Sequence, residues 1–106
     1  MDTYQNKLAM MIGLAVKAGA VYIGTELACN AARGKKARLF LISESSSDNT
    51  KKKAFNCAGY YNVEAKEIPL DTEALGKSCG KKSAVGCIAI SDNNFVAAIH
   101  NILSRE

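Results

Sequence analysis

Apolar positions change period along this chain, and the changes mark alternating helices and strands. Tyr4, Leu8, Met11, Ile12 and Ala15 recur at the spacing of one helix face. Thr3 is the expected N-cap of that helix and Gly19 its expected stop. A short run from Ala20 to Ile23 predicts a strand that meets Gly24. A second helix is expected from Glu26 to Arg33 with Leu27, Ala28 and Ala31 inward. Arg38 to Ser43 is almost continuously apolar, the pattern of a central strand covered on both faces. Ser45 to Thr50 is a polar loop ending in capping residues. The third helix after it carries Lys51, Lys52 and Lys53 in its first turn and Ala54, Phe55, Ala58 and Tyr61 inward. Val63 to Ile68 is more polar and is closed by Pro69, which places it near a sheet edge. Asp71 caps a short fourth helix ending near Gly80, and Ala84 to Ser91 reads as another buried strand. Asp92 or Asn93 opens a last helix with Phe95, Ile99 and Ile102 inward.

Helix and strand thus alternate throughout, which predicts an α/β fold: a three-layer α/β/α sandwich with a four-stranded mixed sheet and about five helices. No repeat, linker or low-complexity stretch interrupts it, so residues 1–106 are expected to form a single domain. The first residues share some signal-peptide traits, with Lys7, the apolar run Leu8 to Val16, and Ala18-Gly19-Ala20. Asp2 before the run and Lys17 between it and the supposed cleavage site favour a mature amphipathic helix instead. The longest strongly apolar run, Ala84 to Ile90, is strand-sized, so no membrane span is expected.

Composition narrows the chemistry. The net charge of +4, from fourteen basic and ten acidic residues, suits a polyanionic partner without requiring one. Cys29, Cys57, Cys79 and Cys87 contain no Cys-x-x-Cys pair, and His100 is the only histidine. No zinc site is expected, and the thiols read as reduced core residues of a cytoplasmic protein. No nucleophile–base pairing surrounds His100, and neither Gly-x-Gly-x-x-Gly nor Gly-x-x-x-x-Gly-Lys-Ser/Thr occurs. The chain therefore reads as non-enzymatic and cofactor-free.

The candidate site lies in Gly19 to Leu41. A strand–Gly–helix junction at Gly24 leaves helix N-terminal N–H groups facing outward with no β-carbon in the way, a surface suited to an anionic or densely hydrogen-bonding partner. Arg33, Lys35, Lys36 and Arg38 follow at the helix end. They are either a solvated terminus, where cations suit the dipole, or a phosphate-binding cluster. Lys77, Lys81 and Lys82 flank Gly76 and Gly80 in a second candidate cluster, where the glycines read as packing and helix-stop residues. Lys51, Lys52 and Lys53 read as solvated.

Gly24-Thr25-Glu26-Leu27, followed by Arg33 to Leu39, resembles the helix start of the ribosomal L-seven-Ae / L-thirty-e family. Leu75-Gly76-Lys77-Ser78-Cys79-Gly80 resembles its Leu-Gly-x-Ala-x-Gly signature, and Leu14-Ala15-Val16-Lys17-Ala18-Gly19 is similar to a bacterial branch of small stand-alone members. The likeness covers nearly the whole chain. It implies an RNA-binding protein without catalytic activity, with kink-turns, sharply bent duplexes containing tandem sheared G·A pairs, as the family's known target. One implied contact surface is Gly24, Thr25 and Glu26; the other is the loop at Lys81, Lys82 and Ser83. This sequence departs from the Gly-x-Asn-Glu pattern of archaeal and eukaryotic members, with Glu26 for the amide and Leu27 for the acid. Asn30 stands where many relatives have Lys, and Lys81-Lys82-Ser83 replaces an apolar loop.

The full set of candidate RNA-binding residues is Gly24, Thr25, Glu26, Asn30, Arg33, Lys35, Lys36, Gly76, Lys77, Lys81 and Lys82. The expected partner is ribosomal or structured non-coding RNA, with the ribosome as a candidate assembly and a monomeric protein. The rival expectation is a protein–protein adaptor on the same scaffold with weak, non-specific RNA binding.

Overall fold

The computed structural model describes residues 2–104. Over them the chain runs α1 (Thr3–Lys17), β1 (Val21–Ile23), α2 (Thr25–Arg33), β2 (Leu39–Ser43), α3 (Asp48–Tyr60), β3 (Glu64–Ile68), α4 (Thr72–Ser78), β4 (Cys87–Ile90) and α5 (Asn93–Leu103). The strands form one mixed sheet in the order β1-β4-β2-β3. β4 pairs antiparallel with both β1 and β2, while β2 and β3 are parallel.

Because side chains alternate across a sheet, its register sorts the core into two halves. Leu39 lies opposite Ile90 and Leu41 opposite Ile88. These four, with Ile68, pack against Leu8, Ile12 and Ala15 of α1, Leu75 of α4 and Ile99 of α5. Phe40 lies opposite Ala89 and Ile42 opposite Cys87, and they face α2 and α3. On that side the helices contribute Ala28, Ala31, Ala32, Ala54 and Ala58. Such small side chains let both helices lie close over Phe40 and Ile42. The result is the expected α/β/α sandwich with five helices and a four-stranded mixed sheet.

Capping chemistry sets the helix starts, and it moves two of them. Asp2, not Thr3, caps α1: its carboxylate accepts from the Gln5 N–H at 2.8 Å, and the Gln5 side-chain oxygen accepts from the Asp2 N–H at 3.1 Å. That reciprocal pair needs an acceptor three residues before Gln5, a position only Asp2 holds. Ser47 caps α3 by accepting from the Thr50 N–H at 3.2 Å. Asp48 therefore sits in the first turn, and Lys51 to Lys53 follow after it rather than within it. Lys51 turns toward β3 and meets Glu67 at 3.3 Å.

Two packing expectations and one strand boundary also change. Leu27 and Phe55 point outward, 53% and 40% exposed, because the seam between the helices and the sheet is filled by alanines one helical step away. β4 is confined to Cys87–Ile90. Upstream, the Gly86 carbonyl accepts from the Ser43 N–H and the Ser46 hydroxyl, and the Val85 N–H donates to Thr72, so Ala84 to Gly86 belong to the preceding loop.

Candidate functional site

α2 begins differently from its neighbours. Gly24 has φ 100 and ψ 151, a backbone conformation that favours glycine. Asp2, Ser47, Asp71 and Asp92 cap their helices with side chains; among the described residues α2 alone starts without such a cap. The Gly24 carbonyl accepts from the Ala28 N–H at 2.9 Å, closing the first helical turn. The Thr25, Glu26 and Leu27 N–H groups are then left without an intrahelical acceptor. Glu26 is exposed beside them, and so is the apolar Leu27.

The second turn is built on α4. Lys81 donates its N–H to the Gly76 carbonyl and Gly80 donates to Lys77, both at 2.9 Å, with Gly80 at φ 75. The chain then runs back beside α4, where the Val85 N–H meets the Thr72 carbonyl. Gly76 is buried under this return. A β-carbon there would overlap the Ser83 carbonyl oxygen, so Gly76 serves packing and offers no contact surface. Above it Lys81, Lys82 and Ser83 are exposed.

The Gly24 N–H donates to the carbonyl of Cys87, the first residue of β4, at 2.9 Å, four residues after Ser83. Since β1 and β4 are adjacent and antiparallel, the end of β1 and the approach to β4 share one end of the sheet. Glu44 lies at the end of β2 on the β3 side, while Asp71 precedes Thr72, whose carbonyl accepts from the Val85 N–H of the returning loop. Glu44 is held there by its N–H to the Ile68 carbonyl.

The remaining candidates lie elsewhere. α2 leads away from Gly24 for nine residues, so Arg33, Lys35 and Lys36 stand about 13 Å away at its far end. There the Arg38 N–H bonds the Ile90 carbonyl, marking the opposite end of the sheet. Asn30 lies on the exposed side of α2 and accepts from Arg33 Nη1 at 3.0 Å. Lys77 lines a trough of about 450 Å³ between α1 and α4, together with Met10, Asp71 and Glu73.

A family model for the ribosomal protein L7Ae/L30e/S12e/Gadd45 family matches residues 6–100. The chain belongs to this family. It is 33% identical over 93 residues to the RNA-binding protein YlxQ of Bacillus subtilis (strain 168), covering 88% of this chain and 91% of that protein. A protein of the same name from Enterococcus faecium is 34% identical over 91 residues, covering 86% and 85%. Among solved structures, a protein of unknown function from Bacillus halodurans superposes with a TM-score of 0.83 at 26% identity, over 92% of this chain and 97% of that one. The Giardia lamblia 15.5kD RNA binding protein shares the fold, with a TM-score of 0.75 at 16% identity, over 99% and 88%.

The thiols of this family member are placed for packing. Burial raises Cys87 to about 12 and Cys79 to about 11. Cys29 rises to about 11 through burial and the neighbouring Cys57 thiol. All three thus stay protonated near neutral pH. Among the described residues no group of three or more His, Cys, Asp or Glu side chains is arranged to hold a metal ion. No helix among them is long and apolar enough to cross a membrane.

Two aromatic residues with no assigned role emerge at the far end of α2. Tyr60 is 81% exposed, and its ring stands edge-on to Tyr61 at 4.8 Å. Tyr61, expected to point inward, is the half-buried C-cap of α3, and its hydroxyl accepts from Arg33 Nε at 3.2 Å. The local signal was the Tyr60-Tyr61 doublet at a helix end, of which periodicity assigned only Tyr61 to the core.

Proposed function

We propose that this protein binds structured RNA without catalysing a reaction, through the α2 start and the loop from residue 79 to 86 acting together. The Gly24–Cys87 hydrogen bond supports this reading, because it sets the uncapped start of α2 beside the first residue of β4, into which the lysine-bearing loop runs. Family membership and the printed names of the Bacillus and Enterococcus relatives support RNA as the partner.

The chemistry divides cleanly. Lys81 and Lys82 meet phosphates and fix orientation. Glu26 accepts hydrogen bonds from base amino groups, and Leu27 offers an apolar contact beside it. In A-form RNA the bases are hidden, so such a site reads positions where the duplex is bent or opened. A kinked RNA satisfies both turns at once, and a straight duplex meets only one. Kink-turns are therefore the proposed target, in ribosomal or other structured RNA, with the protein acting as a monomer in the cytoplasm.

The test compares a kink-turn RNA with a straight duplex of the same length by equilibrium binding. The wild-type protein is expected to prefer the kinked RNA, and Glu26→Ala to lose most of that preference while retaining duplex affinity. Removing one good base contact costs about 1–3 kcal/mol of discrimination. An unchanged preference would take Glu26 out of the readout.

A protein-adaptor reading rests on a different observation. Met10 and Leu14 are 69% and 52% exposed, and they border an apolar groove of about 270 Å³ shared with Met11, Lys7 and Ile102. Equal binding to kinked and straight RNA would favour that reading.

A further inference from the structure

The α2–α3 layer carries charge unevenly. Its carboxylates, Glu26 and Asp48, both sit in first helical turns. Arg33, Lys35, Lys36, Lys52 and Lys53 are exposed, and none forms an ion pair among the described residues, where the pairs found all involve Glu64 or Glu67. Lys53 and Arg33 both act electrostatically on Cys29, so they flank one stretch of the seam between the helices.

At the end of that seam the side chains are already ordered. Arg33 bonds both the Tyr61 hydroxyl and Asn30, which fixes its guanidinium. Tyr61 in turn supports the exposed Tyr60 ring edge-on, leaving a Tyr60 face open to solvent. The backbone adds a third observation. Gly34 occupies the C-cap of α2 at φ −84, where any residue fits, while Lys35 takes φ 60, the conformation that favours glycine. Lys35 is exposed at this strained position, two residues after the Arg33 that bonds Tyr61.

We propose that Tyr60, Arg33 and Lys35 form a second RNA contact: a ledge on which an unpaired nucleotide stacks against Tyr60 while Arg33 and Lys35 hold its phosphates. An exposed aromatic face bordered by unpaired cations is the chemistry of single-stranded nucleic-acid binding. The inference rests on the reading that the partner is RNA, and extends it from the α2 start to the far end of the same helix. An RNA seated at Gly24 would reach the ledge with a short unpaired extension.

The test measures the full-length protein's affinity for a kink-turn RNA bearing a short oligouridine tail, and for the same RNA without it. The tail is expected to strengthen wild-type binding. Tyr60→Ala should weaken tailed binding about tenfold and leave untailed binding unchanged, with Tyr60→Phe behaving as wild type because stacking needs only the ring. A photoreactive uridine in the tail should crosslink at Tyr60. Thermal melting of each variant confirms that it is folded. If the tail adds nothing while the untailed RNA binds well, the ledge is overturned, α2-start recognition survives, and Tyr60 is left to a protein partner. Equal loss in Tyr60→Ala and Tyr60→Phe overturns stacking. Failure of the wild type to bind either RNA overturns both proposals.

Discussion

Single residues here show how strongly surroundings alter ordinary chemistry. The Cys87 thiol lies in the layer between the sheet and α2–α3, and burial lifts it from 9.0 to about 12. Between those values the unfolded chain releases a proton that the folded chain retains. Stability is thus fully present below pH 9 and falls as pH rises toward 12. Cys87→Ala is expected to lower stability at neutral pH by removing buried volume, but to flatten the decline above pH 9. Denaturant melts across that window check it; parallel declines in both proteins would show that Cys87 does not contribute. Leu27 and Phe55 carry a related lesson. Both are large and apolar at helical spacing, yet both face outward, since alanines already fill the seam.

At the level of elements, one closing device recurs. α1, α2, α3 and α4 each end with a residue at positive φ: Gly19, Lys35, Asn62 and Gly80. In each case the following N–H reaches back to a carbonyl in the last turn: Ala20 to Ala15, Lys36 to Ala31, Val63 to Ala58 and Lys81 to Gly76. The device turns the chain sharply, so each helix returns directly to the sheet. In α4 it also seats the lysine loop over Gly76. Gly76→Ala would drive a methyl group into Ser83, costing about 1–3 kcal/mol and displacing Lys81 and Lys82. RNA affinity should fall with it. Gly59→Ala, open on the outside of α3, should instead stabilise by about 0.5–1 kcal/mol and leave binding intact. Melting and binding measured on both variants separate local geometry from a general effect of substituting glycine.

Across the whole molecule, the sheet divides the core and the surface differs on its two sides. α1, α4 and α5 together carry Lys7, Lys17, Glu73 and Lys77, whereas α2, α3 and the turn after α2 carry Arg33, Lys35, Lys36, Arg38, Lys51, Lys52 and Lys53 against Glu26 and Asp48. With about six phosphates contacted, log K against log salt should slope at roughly −4 to −5. Lys82→Glu should weaken binding to every RNA tested and reduce that slope by about 1. Lys7→Glu, on α1, should change neither. A flat salt response would remove phosphate contact as the source of affinity.

Element identity and order were legible in the sequence, because helical period, alternation, caps and breakers act over a few residues. The expected sandwich, the glycine junction at Gly24 and the edge position of Val63 to Ile68 followed from those local signals. Family motifs added the two turns to be watched. Pairing across the sheet settled the rest. The β1–β4 register brought Gly24 beside Cys87, and the short run of α2 carried Arg33, Lys35 and Lys36 to the opposite end. Close packing buried Gly76, and the contact between α2 and α3 placed Tyr61, with Tyr60 against it, beside Arg33. Such contacts join residues far apart along the chain, and no local period encodes which distant surfaces meet.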